Sequence, residues 1–404
     1  MDARHTSTEG QEPARRRLRV LHVGKFYPPV RGGMEKVLQV VAEAERLVVE
    51  NHVLVANTQA STVREEVRGV AVTRVAALTR VGAVAVCPTF PFWLRRLSAD
   101  VVVIHEPNPV ALVAHFLSRP RGRIIFWVHA EVVRPAWRYK AFYRPFLVRL
   151  LKRATRIVVA SPAVAALAAE LQPYRDKVVV VPYALDPDQH APTAAVAGRV
   201  RAVRDESPEP LVLFVGRLVA YKGVDVLLRA VAGTTARVVI VGDGPLRGEL
   251  ESLAASLGVA HRVRFAGEAT DFETTALYNA CDLLVLPSVT RAEAFGMVQL
   301  EAMSCAKPVI STSLESGVPW VNQHGHTGLV VPPGDVGALT AAIQRLIDDP
   351  SERQEMGRRG RQRVEKDFSI SRLAQQVTEL YRTVTASPEA VTVTAAAVID
   401  HGDK

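Results

Sequence analysis

The chain reads as an α/β protein made of two parallel-sheet units with a cleft between them. Three observations predict this. Short β-branched runs alternate with helical stretches along most of the length. The alternation breaks once, between about 183 and 210, where Pro187, Pro192, Pro208 and Pro210 fall among scattered charges. The length, 404 residues with 48% apolar, is enough for two full cores.

The elements follow in order. Residues 1–17 are polar and charged and are expected to form a flexible arm. Leu18–Gly24 opens the first sheet, and Met34–Leu47 carries helical periodicity. Val53–Ala56, Val101–Ile104, Ile124–Val128, Ile157–Ala160 and Val178–Val181 have the length and composition of buried strands. Such runs, spaced by helices, imply parallel strands covered on both faces. A second series runs through Leu211–Gly216, Val238–Val241, Val263–Ala266, Leu283–Leu286, Val309–Ser311 and Leu329–Val331. A last helix is expected near Ser369–Thr383, followed by a mobile tail over 386–404. The domain limits expected are 18–195 and 196–368, with 369–385 as the final helix.

Composition removes several classes. Cys87, Cys281 and Cys305 match no zinc or redox spacing, and their odd number argues against a disulfide framework. No apolar run approaches the ~18 residues of a membrane span. A cytoplasmic location is therefore expected, with peripheral attachment to a membrane as an option. The net charge of +9 suits anionic partners without choosing among them.

Three motifs carry chemistry. Gly32 and Gly33 lie between the first strand and the first helix, where glycines let backbone approach a phosphate. An ordinary turn explains them equally well, and their spacing is not that of a dinucleotide fingerprint. Gly216 ends a strand and is followed by Arg217 and Lys222. Two cations there could clamp a departing diphosphate, or form a solvated basic loop. The third motif runs from Glu293 through Phe295, Gly296 and Met297 to Glu301. On a continuous helix its two carboxylates would stand about 80° apart. A helix starting near Phe295 would aim the N–H groups of Phe295, Gly296 and Met297 at a ligand. The carboxylates could accept from sugar hydroxyls, or simply be solvated.

Taken together these stretches resemble the retaining glycosyltransferases of family 4, the group 1 glycosyl transferases of GT-B architecture. The stretches are FVGRLVAYKG, VIVGDGPL, NACDLLVLPS, EAFGMVQLEAM and KPVISTSLESGVPWVNQHGHTGLVVPPGD, over about 211–335. Weaker similarity lies in VGKFYPPVRGGMEKVL, HEPNP, VHAE and SPAVAALAAELQPYRDKVVVVPYALD. The resemblance implies two facing Rossmann-like domains, the first for acceptor and the second for donor, with the last helix crossing back. It implies that Arg217 and Lys222 bind the donor diphosphate, that Glu293 contacts the transferred sugar, and that Phe295, Gly296 and Met297 supply backbone donors. Glu301 would hold the ribose, Gly32 and Gly33 would face the diphosphate, and His129 would sit near the reacting sugar. Gly216 completes the donor-binding set. The sequence departs from the family at Ala184 and Ala306, commonly Gly, and at Glu131, usually Asp.

The expected activity is transfer of a hexose, mannose-type favoured, from a GDP- or UDP-sugar to a glycan or lipid-linked acceptor, as in polysaccharide assembly. No cofactor and no metal are called for, since the nucleotide sugar is a substrate. Asp186 and Asp188 match D-x-D but fall between the domains, and His324 with His326 reads as a turn. The Gly242–Pro245 stretch reads as a turn entering a helix with Pro at its first position. The segment 134–156 holds eight cations and five interleaved aromatics and no acid. It fits an anionic membrane surface as well as a core helix with a basic face; a nucleic-acid partner is not expected. The other functions left open are a nucleotide-sugar epimerase of the same fold and a non-catalytic basic binder.

Overall fold

The computed structural model describes residues 16–30, 32–81, 84–129, 143–206 and 208–386. The first unit is built on an eight-stranded sheet. Its strands are β1 (Arg19–Val23), β2 (Glu50–Ala56), β3 (Val63–Val67), β4 (Val70–Val75), β7 (Val101–Glu106), β8 (Arg123–Val128), β9 (Arg156–Val159) and β10 (Val178–Val180). The order is β10-β9-β8-β7-β1-β2-β4-β3, and only the β3–β4 pair is antiparallel. A small hairpin, β5 (Thr79–Val81) with β6 (Val84–Val86), stands apart. The β-branched runs form strands because helices cover both faces: all six residues of β7 are buried. β3 escaped the sequence reading because Val63–Glu66 are exposed and leave no burial pattern.

The second unit holds β11 (Leu211–Val215), β12 (Arg237–Val241), β13 (Val263–Gly267), β14 (Leu283–Leu286), β15 (Val309–Thr312) and β16 (Gly328–Val331). All pairs are parallel, in the order β13-β12-β11-β14-β15-β16. The chain reverses its winding between β11 and β14. A crevice opens beyond the carboxyl ends of strands at such a reversal, and ligands of open α/β sheets bind there.

The connection is not bare loop. The stretch 183–210 contains a helix, Ala194–Asp205, capped by Thr193 and docked on the helix Asp271–Ala280. Arg199 pairs with Glu273 across that contact at 3.1 Å. The prolines flank this helix rather than interrupt it, so their density marks its ends.

Two crossings of the chain meet at one hinge. The Leu185 amide donates to the Phe368 carbonyl at 3.0 Å. The helix Ile370–Thr385 then leaves the second unit, capped by Ser369, and packs on the helix Gly33–Glu45 of the first. It buries Leu373, Val377, Leu380, Tyr381 and Val384 there. Phe295 sits at this hinge, in ring contact with Tyr183, Trp320 and Phe368. Of the expected arm and tail, 1–15 and 387–404 lie outside the described residues. Arg16 ties back to Asp100 at 3.0 Å.

Candidate active site

The crevice at the winding reversal is furnished by two loops. After β11 the chain passes Gly216 and Arg217 and makes one turn of tight helix at Ala220–Lys222. After β14 it passes Ser288 to Glu293. Gly223 lets the loops meet: it takes φ +64°, and a Cβ there would lie 2.2 Å from the Pro287 carbonyl oxygen. The Val289 amide donates to the Tyr221 carbonyl at 2.8 Å. Lys222 is thereby buried, and its Nζ donates to Glu293 Oε2 at 2.5 Å. Ser288 Oγ donates to the same oxygen at 3.1 Å. A Cβ on Gly216 would stand 3.5 Å from Lys222 Nζ, so glycine keeps the lysine head uncovered on that side. Arg217, next in the chain, is exposed and has no ion-pair partner among the described residues.

Glu293 and Glu301 do not share one continuous helix: of the two arrangements read from the sequence, the one with the helix starting near Phe295 is found, and Glu293 falls before its first turn. The helix is Met297–Ser304, and Gly296 before it has φ +73°. That left-handed residue stops the helix from extending back to Phe295. Glu293 instead lies in the preceding loop, where it can reach Lys222. The amides of Phe295 and Gly296 make no hydrogen bond among the described residues, and Met297 opens the helix. Free N–H groups at a helix start favour an anion. Glu301, on the first turns, accepts from the Tyr278 hydroxyl at 2.6 Å. Burial, then the Glu301 charge, pushes that phenol well above its usual range.

The first unit presents a second helix start. Gly32 precedes the helix Gly33–Glu45 with no side-chain cap, and a Cβ on Gly33 would meet nothing within 4 Å. Lys36 of its first turn and Met297 line one interdomain cavity, with Trp127, Tyr183 and Leu373. The two helix starts therefore converge from opposite domains. Arg31 lies outside the described residues.

His129 follows β8, at the carboxyl end where a ligand would lie. Both of its ring nitrogens are engaged: Nε2 is 2.8 Å from His105 Nδ1, and Nδ1 is 2.9 Å from the Tyr183 hydroxyl. Burial lowers its pKa to about 3, so the ring is neutral. It is 8% exposed, beside Tyr183 of the interdomain cavity, and offers no idle nitrogen. Ala130 and Glu131, the rest of that motif, lie outside the described residues.

Comparison with known proteins decides what this arrangement belongs to. Residues 200–363 match the family "Glycosyl transferases group 1" and residues 32–184 the "Glycosyl transferase 4-like domain". The D-rhamnosyltransferase WbpZ of Pseudomonas aeruginosa is 35% identical over 356 residues, 87% of this chain and 92% of that one. The O-antigen chain mannosyltransferase C of Escherichia coli is 31% identical over 379 residues, 92% and 100% of the two chains. The chain is a group 1, family 4 glycosyltransferase. Among solved structures, Anabaena HepE in complex with UDP and glucose superposes with a TM-score of 0.72 at 20% identity, over 90% of this chain and 99% of that one. A sucrose-phosphate synthase of Thermosynechococcus elongatus gives 0.74 at 23% identity, over 91% and 98%. These likenesses establish the GT-B fold.

The remaining motifs of this glycosyltransferase make contacts within the fold. His324 Nδ1 accepts from the Val330 amide at 3.0 Å, which holds a turn. Asp188 pairs with Arg361 at 2.7 Å. No group of three or more metal-binding side chains forms among the described residues. The Gly242–Pro245 turn does not start a helix at Pro245; the helix begins at Arg247. Its glycines serve contact instead, since a Cβ on Gly244 would meet the Leu218 carbonyl at 2.4 Å. Ala306 takes φ +54° where the family commonly has Gly, a strain of about 1–3 kcal/mol. Cys87 and Cys281 are buried thiols and Cys305 is half-buried. No helix is long and apolar enough to cross a membrane, among the described residues. Of the basic segment, 134–142 lies outside the described residues. The rest forms the helix Arg144–Arg153, with Arg144, Arg149, Lys152 and Arg153 exposed and Leu147, Leu150 and Leu151 buried.

Sequence reasoning overlooked Ser288, Tyr278 and Tyr183. Ser288 and Tyr183 lie inside stretches quoted above without a role of their own, and Tyr278 and Tyr183 act through partners 23 and 54 residues away.

Two predictions follow from the site's physics. Lys222→Ala strands Glu293 in a buried place and should cost about 3 kcal/mol in urea unfolding. Arg217→Ala, at an exposed unpaired position, should stay within about 0.5 kcal/mol. Comparable losses in both would refute the difference in burial. The second concerns pH. His129 stays neutral in the folded protein down to about pH 3, while the unfolded ring protonates below ~6.5. The unfolded state then binds more protons, so stability falls as pH drops through that window, by about 1.4 kcal/mol per pH unit for this ring. His129→Gln should shallow the slope between pH 6 and 4 by that amount. An unchanged slope would contradict a buried neutral ring.

Proposed function

We propose that this glycosyltransferase moves a hexose of mannose type from a nucleoside-diphosphate sugar, with retention and without a metal, to a glycan or lipid-linked acceptor. One observation carries the reading. Exposed Arg217, the Lys222–Glu293 pair and two uncapped helix starts converge where the second sheet reverses its winding. Cations and aligned N–H groups there suit a leaving diphosphate. Glu293 and Glu301 suit hydroxyls of the sugar and ribose. The names of the mannosyl- and rhamnosyltransferase relatives support the sugar class, and GDP is favoured as the nucleotide.

In the proposed reaction the bond from the anomeric carbon to the phosphate oxygen breaks, and its electron pair leaves with the diphosphate. The acceptor hydroxyl bonds that carbon from the same face, and its proton passes to the departing phosphate oxygen. Arg217, Lys222 and the amides of Phe295, Gly296 and Met297 stabilise the charge that develops. Arg217→Ala should lower kcat by about 10²–10³-fold, and chelation of divalent ions should leave the wild-type rate unchanged. Anomeric configuration by NMR should match donor and product. Inversion, or loss of activity on chelation, would remove the corresponding part of the proposal.

The acceptor domain should also meet an anionic bilayer through 134–156. The exposed basic face of Arg144–Arg153 supports this, as does Phe116, in ring contact with Phe146 and 5.8 Å beneath the Arg149 guanidinium. Sedimentation with phosphatidylglycerol vesicles at low salt is the expected result. Protein left in the supernatant would refute the membrane contact.

A further inference from the structure

A buried polar chain runs through the first domain and plays no part in the donor chemistry above. His22 on β1, His105 on β7 and His129 past β8 occupy three adjacent strands. His22 Nδ1 is 2.9 Å from His105 Nε2, and His105 Nδ1 is 2.8 Å from His129 Nε2. At the inner end, His22 Nε2 is 2.6 Å from Glu45 Oε1. The Tyr381 hydroxyl, on the crossing helix, donates to Glu45 Oε2 at 2.7 Å. At the outer end, His129 Nδ1 is 2.9 Å from the Tyr183 hydroxyl. His22 and His105 are 0% exposed and His129 is 8% exposed, so only the outer end can meet a ligand.

A neutral imidazole carries one N–H and one lone pair. Burial, reinforced by its two histidine neighbours, holds His105 well below its usual range, and burial alone does the same for His129. Rings in such a row, when each carries a single proton, all point their protons the same way. An end group that only accepts decides which way, and a carboxylate only accepts. Tyr183 does not compete for that decision. Its hydroxyl can donate to His129 Nδ1, or turn to the His129 carbonyl oxygen at 3.3 Å.

We propose that Glu45 is a positioning residue that places the proton of all three rings on Nε2, so that His129 presents the lone pair of Nδ1 at the cleft. The Tyr183 hydroxyl covers that lone pair in the free protein. When the donor binds, a hydroxyl of its sugar donates to Nδ1 and the Tyr183 hydroxyl turns to the carbonyl oxygen. No covalent bond and no net proton changes hands. The ligand part of this rests on the donor reading above; the proton direction does not.

The test uses the full chain labelled with ¹⁵N-histidine. Two-bond ¹H–¹⁵N correlation should show His129 with Nδ1 unprotonated. Glu45→Gln keeps the shape but can donate as well as accept, so it should give mixed or reversed tautomers. A wild-type His129 with its proton on Nδ1, or an unchanged spectrum in the variant, overturns the proposal. Titration with GDP-mannose and with GDP reads the consequence. Glu45→Gln should weaken GDP-mannose about five-fold, the value of one hydrogen bond, and leave GDP within about two-fold. Equal losses for both would mark Glu45 as merely structural. Tyr183→Phe should bind GDP-mannose at least as well as wild type; a clear loss would make Tyr183 itself the ligand's partner and overturn the exchange. If Glu45→Gln does not fold, the wild-type tautomer and Tyr183→Phe still decide. Failure of wild type to bind GDP, UDP or their sugars would count against the donor reading, while the tautomer spectrum would still settle the proton direction.

Discussion

The return of the last helix onto the first domain is the constraint on which the cleft depends. Two domains joined by a single strand of chain would be free to wander. Here the chain crosses twice, and the Leu185 amide fastens one crossing to the Phe368 carbonyl of the other. Beyond that point Ile370–Thr385 buries an apolar stripe on Gly33–Glu45. Each of Leu373, Val377 and Leu380 contributes about 1.5–3 kcal/mol by leaving water. Tyr381 adds direction, because its buried hydroxyl needs a partner and finds Glu45. The result fixes the start of the Gly33–Glu45 helix opposite the start of Met297–Ser304. At the hinge Phe295 is wedged between rings from both crossings.

Much of this was legible in the sequence, and the limits have physical causes. Buried parallel strands such as β7 and β14 declare themselves as β-branched or aliphatic runs, because both their faces are covered. β3 did not, because it is exposed. The relation of Glu293 to Glu301 stayed open between two helix starts for a local reason: a glycine in a helical pattern can be a tolerated residue or a stop, and only its φ tells which. Gly296 is a stop. The histidine row was invisible for a topological reason. Its members are separated by 83 and 24 residues and meet only because β1, β7 and β8 are neighbours. Each did leave one trace, a lone histidine at the carboxyl end of an apolar run, in LHVG, VIHE and WVHA. A histidine that steps two residues along from one parallel strand to the next, His22 opposite Val103 and His105 opposite Trp127, is a pattern worth reading together.

The state of Lys222 and Glu293 bears on how the proposed donor would be held. A lysine and a glutamate, each about a tenth exposed, would be costly to keep apart. In the free protein they satisfy one another, helped by Ser288. A ligand that brought only phosphate would draw Lys222 away and leave Glu293 buried without its partner. A ligand that brought both phosphate and a sugar hydroxyl would replace each half of the pair at once. In the proposed donor complex the pair would discriminate, penalising the bare nucleotide and favouring the complete donor. Arg217 stands outside the exchange, exposed and uncommitted. In the proposed reaction it is the cation whose full charge remains for the diphosphate when the anomeric bond breaks, because Lys222 must first be released by Glu293. That division explains why the loop after β11 would need two cations of such different burial.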